Sequence, residues 1–320
     1  MSPFRLHRSE LAVPATSERF FEKAARGPAD AIFLDLEDAV APALKDAARE
    51  AAIGALNQVD WGRKTMSVRV NGLGTPWVLR DVVEIARACP RLDMIMLPKA
   101  ESAFDVRFVA ELLASVEREQ QRAGPPVGLS VLIETARGVV HAEEIAAGSE
   151  RLEAIIFGIG DYSVDMRTPD SVFGRPNPGY AVLTDADADG RRGLHWNDQW
   201  HYALARIANA CRANGLRPID GPFTDYGDED GVRASALRAR SLGFEGKMAI
   251  HPSQLEPINA VFSPEPAQVS WARQTIAALD AAKAEGKGAV GVAGALVDLA
   301  HEKRARDILD RHQRIEGTSV

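Results

Sequence analysis

Residues 129–162, LSVLIETARGVVHAEEIAAGSERLEAIIFGIGDY, contain two short apolar runs on either side of a segment rich in Ala and Glu. The runs, LSVLIET and LEAIIFGIGD, do not alternate with polar residues, which is typical of parallel strands that are buried on both faces. The segment between them has the composition of a helix. The stretch therefore predicts one β-α-β unit of a parallel sheet, in which both strands point the same way.

Each of the two apolar runs ends in a carboxylate, Glu134 in the first and Asp161 in the second. Because parallel strands end at the same edge of a sheet, we expect these two side chains to lie close together. Two converging carboxylates can share a hard divalent cation such as Mg²⁺. Alternatively, each carboxylate caps the helix that follows its strand. Position alone leaves both interpretations open.

Six further runs of strand-like composition flank this unit, with helix-like segments between them. They are residues 7–14, 31–38, 65–72, 94–100, 217–223 and 244–252. Eight strands that alternate with helices predict an α/β fold of the (β/α)8 TIM barrel type, which we place at residues 1–262. Residues 263–320 predict a C-terminal extension of two helices and a glycine-rich hairpin. The connection at 163–197 is unusually long, and such a loop predicts a functional cover or disorder.

Charged side chains are concentrated at the predicted strand ends, where such barrels carry their chemistry. They are Glu37, Asp38, Arg69, Lys99, Glu134, Asp161, Asp220 and His251. Glu37 and Asp38 could orient waters around a Mg²⁺ ion at the carboxylate pair. Arg69 could bind a carboxylate or an oxygen of a small 2-oxo acid. A cation there would stabilise a developing enolate or alkoxide, which aldol-type carbon–carbon cleavage requires.

Composition argues against several classes of function. The net charge of −7 is spread along the chain without a basic block, which speaks against a nucleic-acid partner. No apolar run is long enough for a membrane span, and the first residues lack the apolar centre of a secretion signal. Cys89 and Cys211 lack CxxC spacing, so we expect free thiols in a reducing cytoplasm. DADADG at 185–190 resembles the start of a calcium loop, but Trp196 stands where that loop needs glutamate.

The motifs FLDLEDAV, SVRVNG, LPK, VLIETARG, FGIGDY and KMAIHPSQ together closely resemble the aldolase/citrate lyase β-subunit superfamily. Within it, the segments from DWGRKTMSVRVNG to LPKAES and from ACRANG to DYGDEDG are most similar to bacterial L-malyl-CoA/β-methylmalyl-CoA lyases. The resemblance covers nearly the whole chain. It implies Mg²⁺-dependent, reversible cleavage of the acyl-CoA to acetyl-CoA or propionyl-CoA and glyoxylate, with Mn²⁺ as a substitute metal.

The resemblance also implies roles for individual residues. Glu134 and Asp161 would be the metal ligands. Arg69 would bind the oxygens of glyoxylate and of the thioester, and the backbone around Gly160 and Asp161 would hold the glyoxylate carboxylate. Asp298, in the motif LVDLAH, would act as general acid and base in the site of a neighbouring subunit. On its own, Asp298 also fits the N-cap of the last helix, and the two roles can coexist.

The same resemblance predicts the coenzyme site and the assembly. Phe20 and Lys23, together with Ile250 and Pro252, would bind CoA, although Lys23 also fits a plain solvated lysine. If Asp298 works in a neighbour's site, the extension packs on that neighbour. We therefore expect a homo-oligomer, a trimer or a hexamer.

Several alternatives stay open at this point. Citramalyl-CoA lyase, citrate lyase β-subunit and malyl-CoA thioesterase share the same kind of site. A CoA-independent aldolase that yields pyruvate is a different enzyme class, and it would not need Asp298. A non-enzymatic CoA-binding or scaffolding protein is a further class, against which the intact metal pair and Arg69 argue. Metal-dependent turnover of an acyl-CoA separates these possibilities.

Overall fold

Eight parallel strands close into a barrel in this structure, a computed structural model that describes residues 5–169, 173–175 and 177–318. Ten strands lie in the described part of residues 5–261. They are β1 (Ser9–Pro14), β2 (Ala31–Asp35), β3 (Thr65–Arg69), β4 (Met94–Leu97), β5 (Gly128–Ile133), β6 (Leu152–Phe157), β7 (Ala181–Leu183), β8 (Leu194–Trp196), β9 (Arg217–Asp220) and β10 (Gly246–Ala249). β1 pairs with both β2 and β10, which closes the barrel, and β7 and β8 form a separate hairpin. The predicted (β/α)8 barrel is confirmed.

Helices connect the barrel strands. They are α1 (Phe21–Arg26), α2 (Lys45–Gln58), α3 (Val78–Ala88), α4 (Ala103–Glu119), α5 (Ala136–Val140), α6 (Ala142–Ala146), α7 (Ile159–Asp165), α8 (His201–Ala213), α9 (Glu229–Ser241) and α10 (Leu255–Phe262). Short 3₁₀ turns lie at Glu18–Phe20, Pro42–Leu44, Pro178–Tyr180 and Pro252–Gln254. The start of α4 is fixed by a capping box between Ser102 and Asp105, and that of α9 by Asp228, whose carboxylate accepts the N–H of Gly231.

Large apolar side chains fill the barrel interior. The cluster consists of Phe33, Met96, Leu132, Ala154, Ile156, Ile219 and Met248, with Ala12 packed against it. Because successive strand residues point to opposite faces, the residues two positions after Phe33 and Leu132 share their inward face. These are Asp35 and Glu134, so the alternation that builds the core also directs two carboxylates toward the mouth of the barrel.

The opposite, N-terminal end of the barrel contains buried charged groups. Arg217 donates to Glu153 at 2.8 Å. Glu10 lies two residues before Ala12 on β1, and its Oε1 is 3.9 Å from Nδ1 of His7. Burial raises the pKa of Glu10 to about 7, although the nearby charge of Arg217 opposes the shift. Burial likewise lowers the pKa of His7, so both members of this pair favour their neutral forms.

Two features differ from the sequence expectations. The strands end several residues earlier than predicted, because Glu37, Asp38 and Lys99 leave the barrel ladder for the loops that follow it. The connection at 163–197 contains the hairpin of β7 and β8. Its turn is stabilised by Asp187, whose carboxylate accepts the N–H groups of Asp189 and Arg191. The acidic segment is thus a hydrogen-bonded turn, as its departure from the calcium-loop pattern suggested.

Residues 262–320 form a second compact unit, and residues 1–261 the first. The second unit contains α11 (Pro266–Ala284), β11 (Val290–Val292), β12 (Ala295–Val297) and α12 (Leu299–Thr318). Leu279, Val292 and Val297 form its small apolar cluster. The hairpin turn places Ala293 and Gly294 at positive φ, 48° and 82°, the backbone conformation that tight hairpin turns require. No helix in the described residues is both long and apolar enough to cross a membrane.

Candidate active site

Glu134 follows β5 directly and is a buried carboxylate at the mouth of the barrel, with 2% of its surface exposed. Its Oε1 accepts the backbone N–H of Lys99 at 2.8 Å. Its Oε2 lies against Gly158, where a Cβ atom would come within 2.3 Å of that oxygen. Burial, together with the charge of Asp161, raises the pKa of Glu134 to about 8. Glu134 is therefore a carboxylate whose ionised form needs a nearby cation.

Asp161 lies in the first turn of α7, after β6, and its side chain is partly exposed. β5 and β6 are neighbours in the barrel, which brings Asp161 to the same edge as Glu134. The ammonium group of Lys99 is 3.5 Å from Oδ2 of Asp161. The β-α-β unit read from the sequence thus places its two terminal carboxylates in one site.

Arg69 ends β3, and its guanidinium lies over the ring of Phe33. Its Nε and Nη2 donate to the two carboxylate oxygens of Asp35, each at 2.7 Å. Its Nη1 is 3.2 Å from Oε2 of Glu37. Burial opposes the charge of Arg69, but the bonds to Asp35 outweigh it and hold the pKa above its usual value. Arg69 is therefore a fixed cation that a fork of two hydrogen bonds orients.

Lys99 joins the acidic groups of three strand ends. Its ammonium donates to the carboxylates of Glu37 and Asp38, in the second case at 3.0 Å. Burial opposes the charge of Lys99, but these carboxylates outweigh it and raise its pKa. Its backbone has a φ of 53°, in the left-handed region that residues other than glycine rarely adopt. This conformation lets its N–H reach Glu134 while its side chain reaches the other acids.

The same cluster of charges explains the pKa values of Glu37 and Asp38. Burial raises the pKa of Glu37, although Arg69 and Lys99 oppose the shift. Burial also acts against the charged form of Asp38, but the hydrogen bond from Lys99 outweighs it and lowers the pKa of Asp38. The exposed member of the pair thus favours its charged form more strongly than the buried one.

Lys45 supports the loop that carries Glu37 and Asp38. Its Nζ donates to the backbone carbonyls of Leu36 and Glu37, each at 2.7 Å, and lies 5.5 Å from the ring centre of Trp77. Burial lowers the pKa of Lys45. Sequence reasoning missed Lys45, since a lysine in the first turn of a helix carries no signal for such bonds. Asp35 is one of three acids at the end of the second predicted strand, but the sequence assigned it no role in the site, although the inward alternation from Phe33 points to one.

The donor set suits a Mg²⁺ ion. Five carboxylates lie around the side chains of Arg69 and Lys99 at this mouth, and they are Asp35, Glu37, Asp38, Glu134 and Asp161. Among the described residues, no group of three or more His, Cys, Asp or Glu side chains forms a ready metal cage. Mg²⁺ does not need one, because it keeps several waters and commonly uses one or two carboxylates with substrate oxygens. The pair Glu134 and Asp161 therefore fits this ion.

The residues predicted to bind CoA lie after two adjacent strands. Phe20 and Lys23 follow β1, and Ile250 and Pro252 follow β10, with which β1 pairs. Phe20 is 36% exposed, and the guanidinium of Arg19 lies 4.7 Å from its ring centre. Ile250 is 40% exposed. The barrel order therefore brings these four positions to one side of the mouth.

Two other residues at the strand ends do not join the carboxylate cluster. Asp220 forms a fully buried ion pair with Lys247 at 2.5 Å. His251 stacks on Tyr226, with ring centres 4.6 Å apart. Asp220 therefore stabilises the barrel between β9 and β10, and His251 packs within the loops above it.

Asp298 lies in the second unit, just before α12, and its side chain is 55% exposed. Its Oδ1 accepts the N–H of Ala300 at 3.0 Å and contacts Nδ1 of His301 at 2.7 Å. The capping role that its position suggested is therefore present in the structure.

The whole chain resembles characterised enzymes. The HpcH/HpaI aldolase/citrate lyase family model matches residues 8–252. The chain is 45% identical to the L-malyl-CoA/β-methylmalyl-CoA lyase of Cereibacter sphaeroides, over 98% of this chain and 97% of that one. It is 36% identical to the (3S)-malyl-CoA thioesterase of the same species, over 96% and 95% of the two chains.

Solved structures extend the comparison. Protein CitE of Mycobacterium tuberculosis, in complex with magnesium, acetoacetate and coenzyme A, superposes with a TM-score of 0.70 at 30% identity, over 95% of this chain and 97% of that one. A citrate lyase of Burkholderia xenovorans gives a TM-score of 0.79 at 26% identity, over 97% and 93%. The family resemblance read from the motifs is thereby confirmed, and the chain belongs to the HpcH/HpaI aldolase/citrate lyase family.

Proposed function

We propose that this protein is a Mg²⁺-dependent carbon–carbon lyase that cleaves L-malyl-CoA, or β-methylmalyl-CoA, reversibly to acetyl-CoA, or propionyl-CoA, and glyoxylate. The observation that carries the proposal is the guanidinium of Arg69, which Asp35 fixes at the barrel mouth and whose charge acts on Glu134, as does that of Asp161. The high identity to a lyase of this specificity, over almost the full length of both chains, supports the same substrates.

Glu134 and Asp161 would hold the ion, and Glu37 and Asp38 would accept hydrogen bonds from its waters. A bound Mg²⁺ would supply positive charge that stabilises the alkoxide of the substrate in cleavage and polarises the carbonyl of glyoxylate in condensation. The CitE complex contains magnesium, which supports this choice of metal. Mn²⁺ prefers the same oxygen ligands, and we expect it to substitute.

Arg69 would stabilise the negative charge of the thioester enolate that cleavage leaves behind. Asp35 fixes Nε and Nη2, and Nη1, which lies 3.2 Å from Oε2 of Glu37, carries two N–H groups, one of which would donate to a substrate oxygen. The backbone at Gly160 and Asp161 belongs to the first turn of α7, where N–H groups lack acceptors inside the helix. These groups would bind the glyoxylate carboxylate and orient its carbonyl carbon toward the enolate.

The coenzyme would lie on the side of the mouth formed after β1 and β10. Phe20 and Ile250 would contact its pantetheine and base, Lys23 its phosphates, and Pro252 would shape the loop. The coenzyme A in the CitE complex supports an acyl-CoA substrate.

Asp298 would protonate the enolate carbon during cleavage and remove that proton in the reverse direction. Its exposed carboxylate belongs to residues 262–320, a unit separate from the one that contains Arg69. We propose a homo-oligomer, a trimer or a hexamer, in which the C-terminal unit packs on a neighbouring subunit and completes its site. Cys89 and Cys211 are buried free thiols, which supports a location in the reducing cytoplasm.

The function is tested by incubating the purified protein with L-malyl-CoA and Mg²⁺ while glyoxylate is trapped with phenylhydrazine and free CoA with a thiol reagent. We expect glyoxylate without free CoA, and no product in the presence of EDTA. Free CoA without glyoxylate would instead identify a thioesterase, the activity of the relative with 36% identity. If neither product forms, citramalyl-CoA and CoA-free hydroxy-oxo acids become the substrates to test.

A further inference from the structure

The two oxygens of the Asp298 carboxylate have different surroundings. Oδ1 is close to three nitrogen donors, the backbone N–H of Ala300 at 3.0 Å, that of His301 at 3.4 Å and Nδ1 of the His301 ring at 2.7 Å. Oδ2 has no hydrogen bond to any residue within the described ranges. One oxygen is therefore anchored, and the other is free.

The ring of His301 is not needed for the helix cap. The backbone N–H groups already supply the bonds by which an aspartate caps a helix, and any residue other than proline at position 301 would keep its own N–H. The imidazole adds a third bond, which is the shortest of the three. Nδ1 also lies 3.3 Å from the N–H of Asp298, but the shorter contact with a charged acceptor favours the tautomer in which Nδ1 donates to Oδ1.

We infer that His301 is a positioning residue for proton transfer, which fixes Oδ1 of Asp298 so that Oδ2 alone exchanges a proton with the substrate carbon. The inference rests on the proposed function, in which Asp298 is the acid and base. In cleavage, the O–H bond at Oδ2 breaks, and the electron pair of the enolate forms the new C–H bond. The negative charge then resides on Asp298, where the Nδ1–H of His301 stabilises it. In condensation the same atoms move in reverse.

The hydrogen bond from the His301 ring matters for the orientation of the Asp298 carboxylate, because both side chains are exposed to solvent. A carboxylate that is 55% exposed can rotate about its side-chain bonds unless a partner holds it, and the His301 side chain is itself only half-buried. The aldol step needs one oxygen at a defined distance from carbon, and a misplacement of about 1 Å can cost about 100-fold in rate. The hydrogen bond from His301 also lowers the pKa of Asp298, which agrees with a bond that is strongest to the charged carboxylate.

The test compares His301→Ala, which removes the ring donor, with His301→Asn, whose amide nitrogen can take the place of Nδ1. Lys303→Ala, at an exposed position of the same helix, is the matched control. For malyl-CoA cleavage we expect His301→Ala to lower kcat by about 10- to 100-fold, which corresponds to the loss of one hydrogen bond to a charged group. KM stays within about twofold, because the substrate does not bind through this bond. His301→Asn recovers most of kcat, and Lys303→Ala behaves like the wild type.

An isotope effect separates positioning from a merely structural role. With trideuterated acetyl-CoA and glyoxylate, we expect a larger deuterium effect on kcat in His301→Ala than in the wild type, because proton transfer becomes the slower step. Wild-type kcat in His301→Ala, or equal losses in the Ala and Asn variants, would overturn the inference. If the wild type cleaves malyl-CoA and Asp298→Ala does not, either of these outcomes refutes only the positioning role of His301. If Asp298→Ala is fully active, or the wild type inactive, the proposed function fails first and the inference with it.

Discussion

A single added methyl group at Gly158 tests whether the position of Glu134 determines metal binding. In Gly158→Ala the new Cβ would lie 2.3 Å from Oε2 and 2.4 Å from Cβ of Glu134, whereas ordinary contacts begin at 3.4 Å. The backbone cannot easily withdraw, because the N–H of Gly158 donates to Ile133 at 3.0 Å and its carbonyl accepts from Tyr162 at 3.1 Å. Its φ of −82° suits alanine, so the cost is steric. Glu134 must therefore move by about 1 Å, the difference between the clash and an ordinary contact.

We expect this displacement to weaken Mg²⁺ binding by about 10- to 100-fold and to lower the free energy of unfolding by about 1–3 kcal/mol. The assays are calorimetric titration with Mg²⁺ and thermal unfolding without it. Gly54→Ala is the matched control, because a Cβ atom there, in the middle of α2, meets nothing within 4 Å. It should leave Mg²⁺ affinity unchanged and raise stability by about 0.5–1 kcal/mol. A folded Gly158→Ala protein that binds Mg²⁺ as tightly as the wild type would refute the reasoning.

Three other changes test neighbouring parts of the structure. Glu134→Gln should weaken Mg²⁺ binding more than about tenfold, since it removes a charged ligand, and an unchanged Mg²⁺ dependence of activity would exclude Glu134 as a ligand. Asp35→Asn should loosen Arg69 and raise KM for glyoxylate in condensation about tenfold, with KM for acetyl-CoA as the internal control; equal KM values would contradict the anchoring role. Glu10→Gln tests the N-terminal end of the barrel. Because the folded pKa of Glu10 is raised to about 7, its stabilising effect is full below the unfolded pKa and is lost as pH rises through about 7. Between pH ~5.5 and ~8.5 the wild type should therefore lose about 2 kcal/mol of stability relative to Glu10→Gln, as measured by urea unfolding. Parallel pH profiles would show that Glu10 ionises normally.

The repeated strand–helix pattern of the barrel could be predicted from the sequence. The individual contacts of side chains with loops could not. The apolar runs before Glu134 and Asp161 were sufficient to predict a β-α-β unit with both carboxylates at one edge. Lys45 was not predictable, because it acts through backbone carbonyls that come close only when the loop after β2 folds.

The role of Gly158 could not be predicted from the sequence for a similar reason. Gly158 lies two residues before Gly160, whose backbone the family resemblance assigns to binding the glyoxylate carboxylate. In the structure Gly158 instead makes room for the side chain of Glu134. These two roles of a glycine differ in what lies next to it. The neighbour of Gly158 is a side chain that follows the adjacent strand, and no local sequence pattern shows that proximity.

The division of the chain at residues 261 and 262 has a genetic consequence if Asp298 serves a neighbour. Arg69→Ala and Asp298→Ala would each be inactive alone. Each variant nevertheless has an intact copy of the unit that is substituted in the other. Dissociated and reassembled at equal amounts into a ring of head-to-tail contacts, they would form mixed oligomers in which about one quarter of the sites combine an intact Arg69 with an intact Asp298. Two defective alleles in one cell would then restore part of the activity, whereas two alleles damaged in the same unit would not.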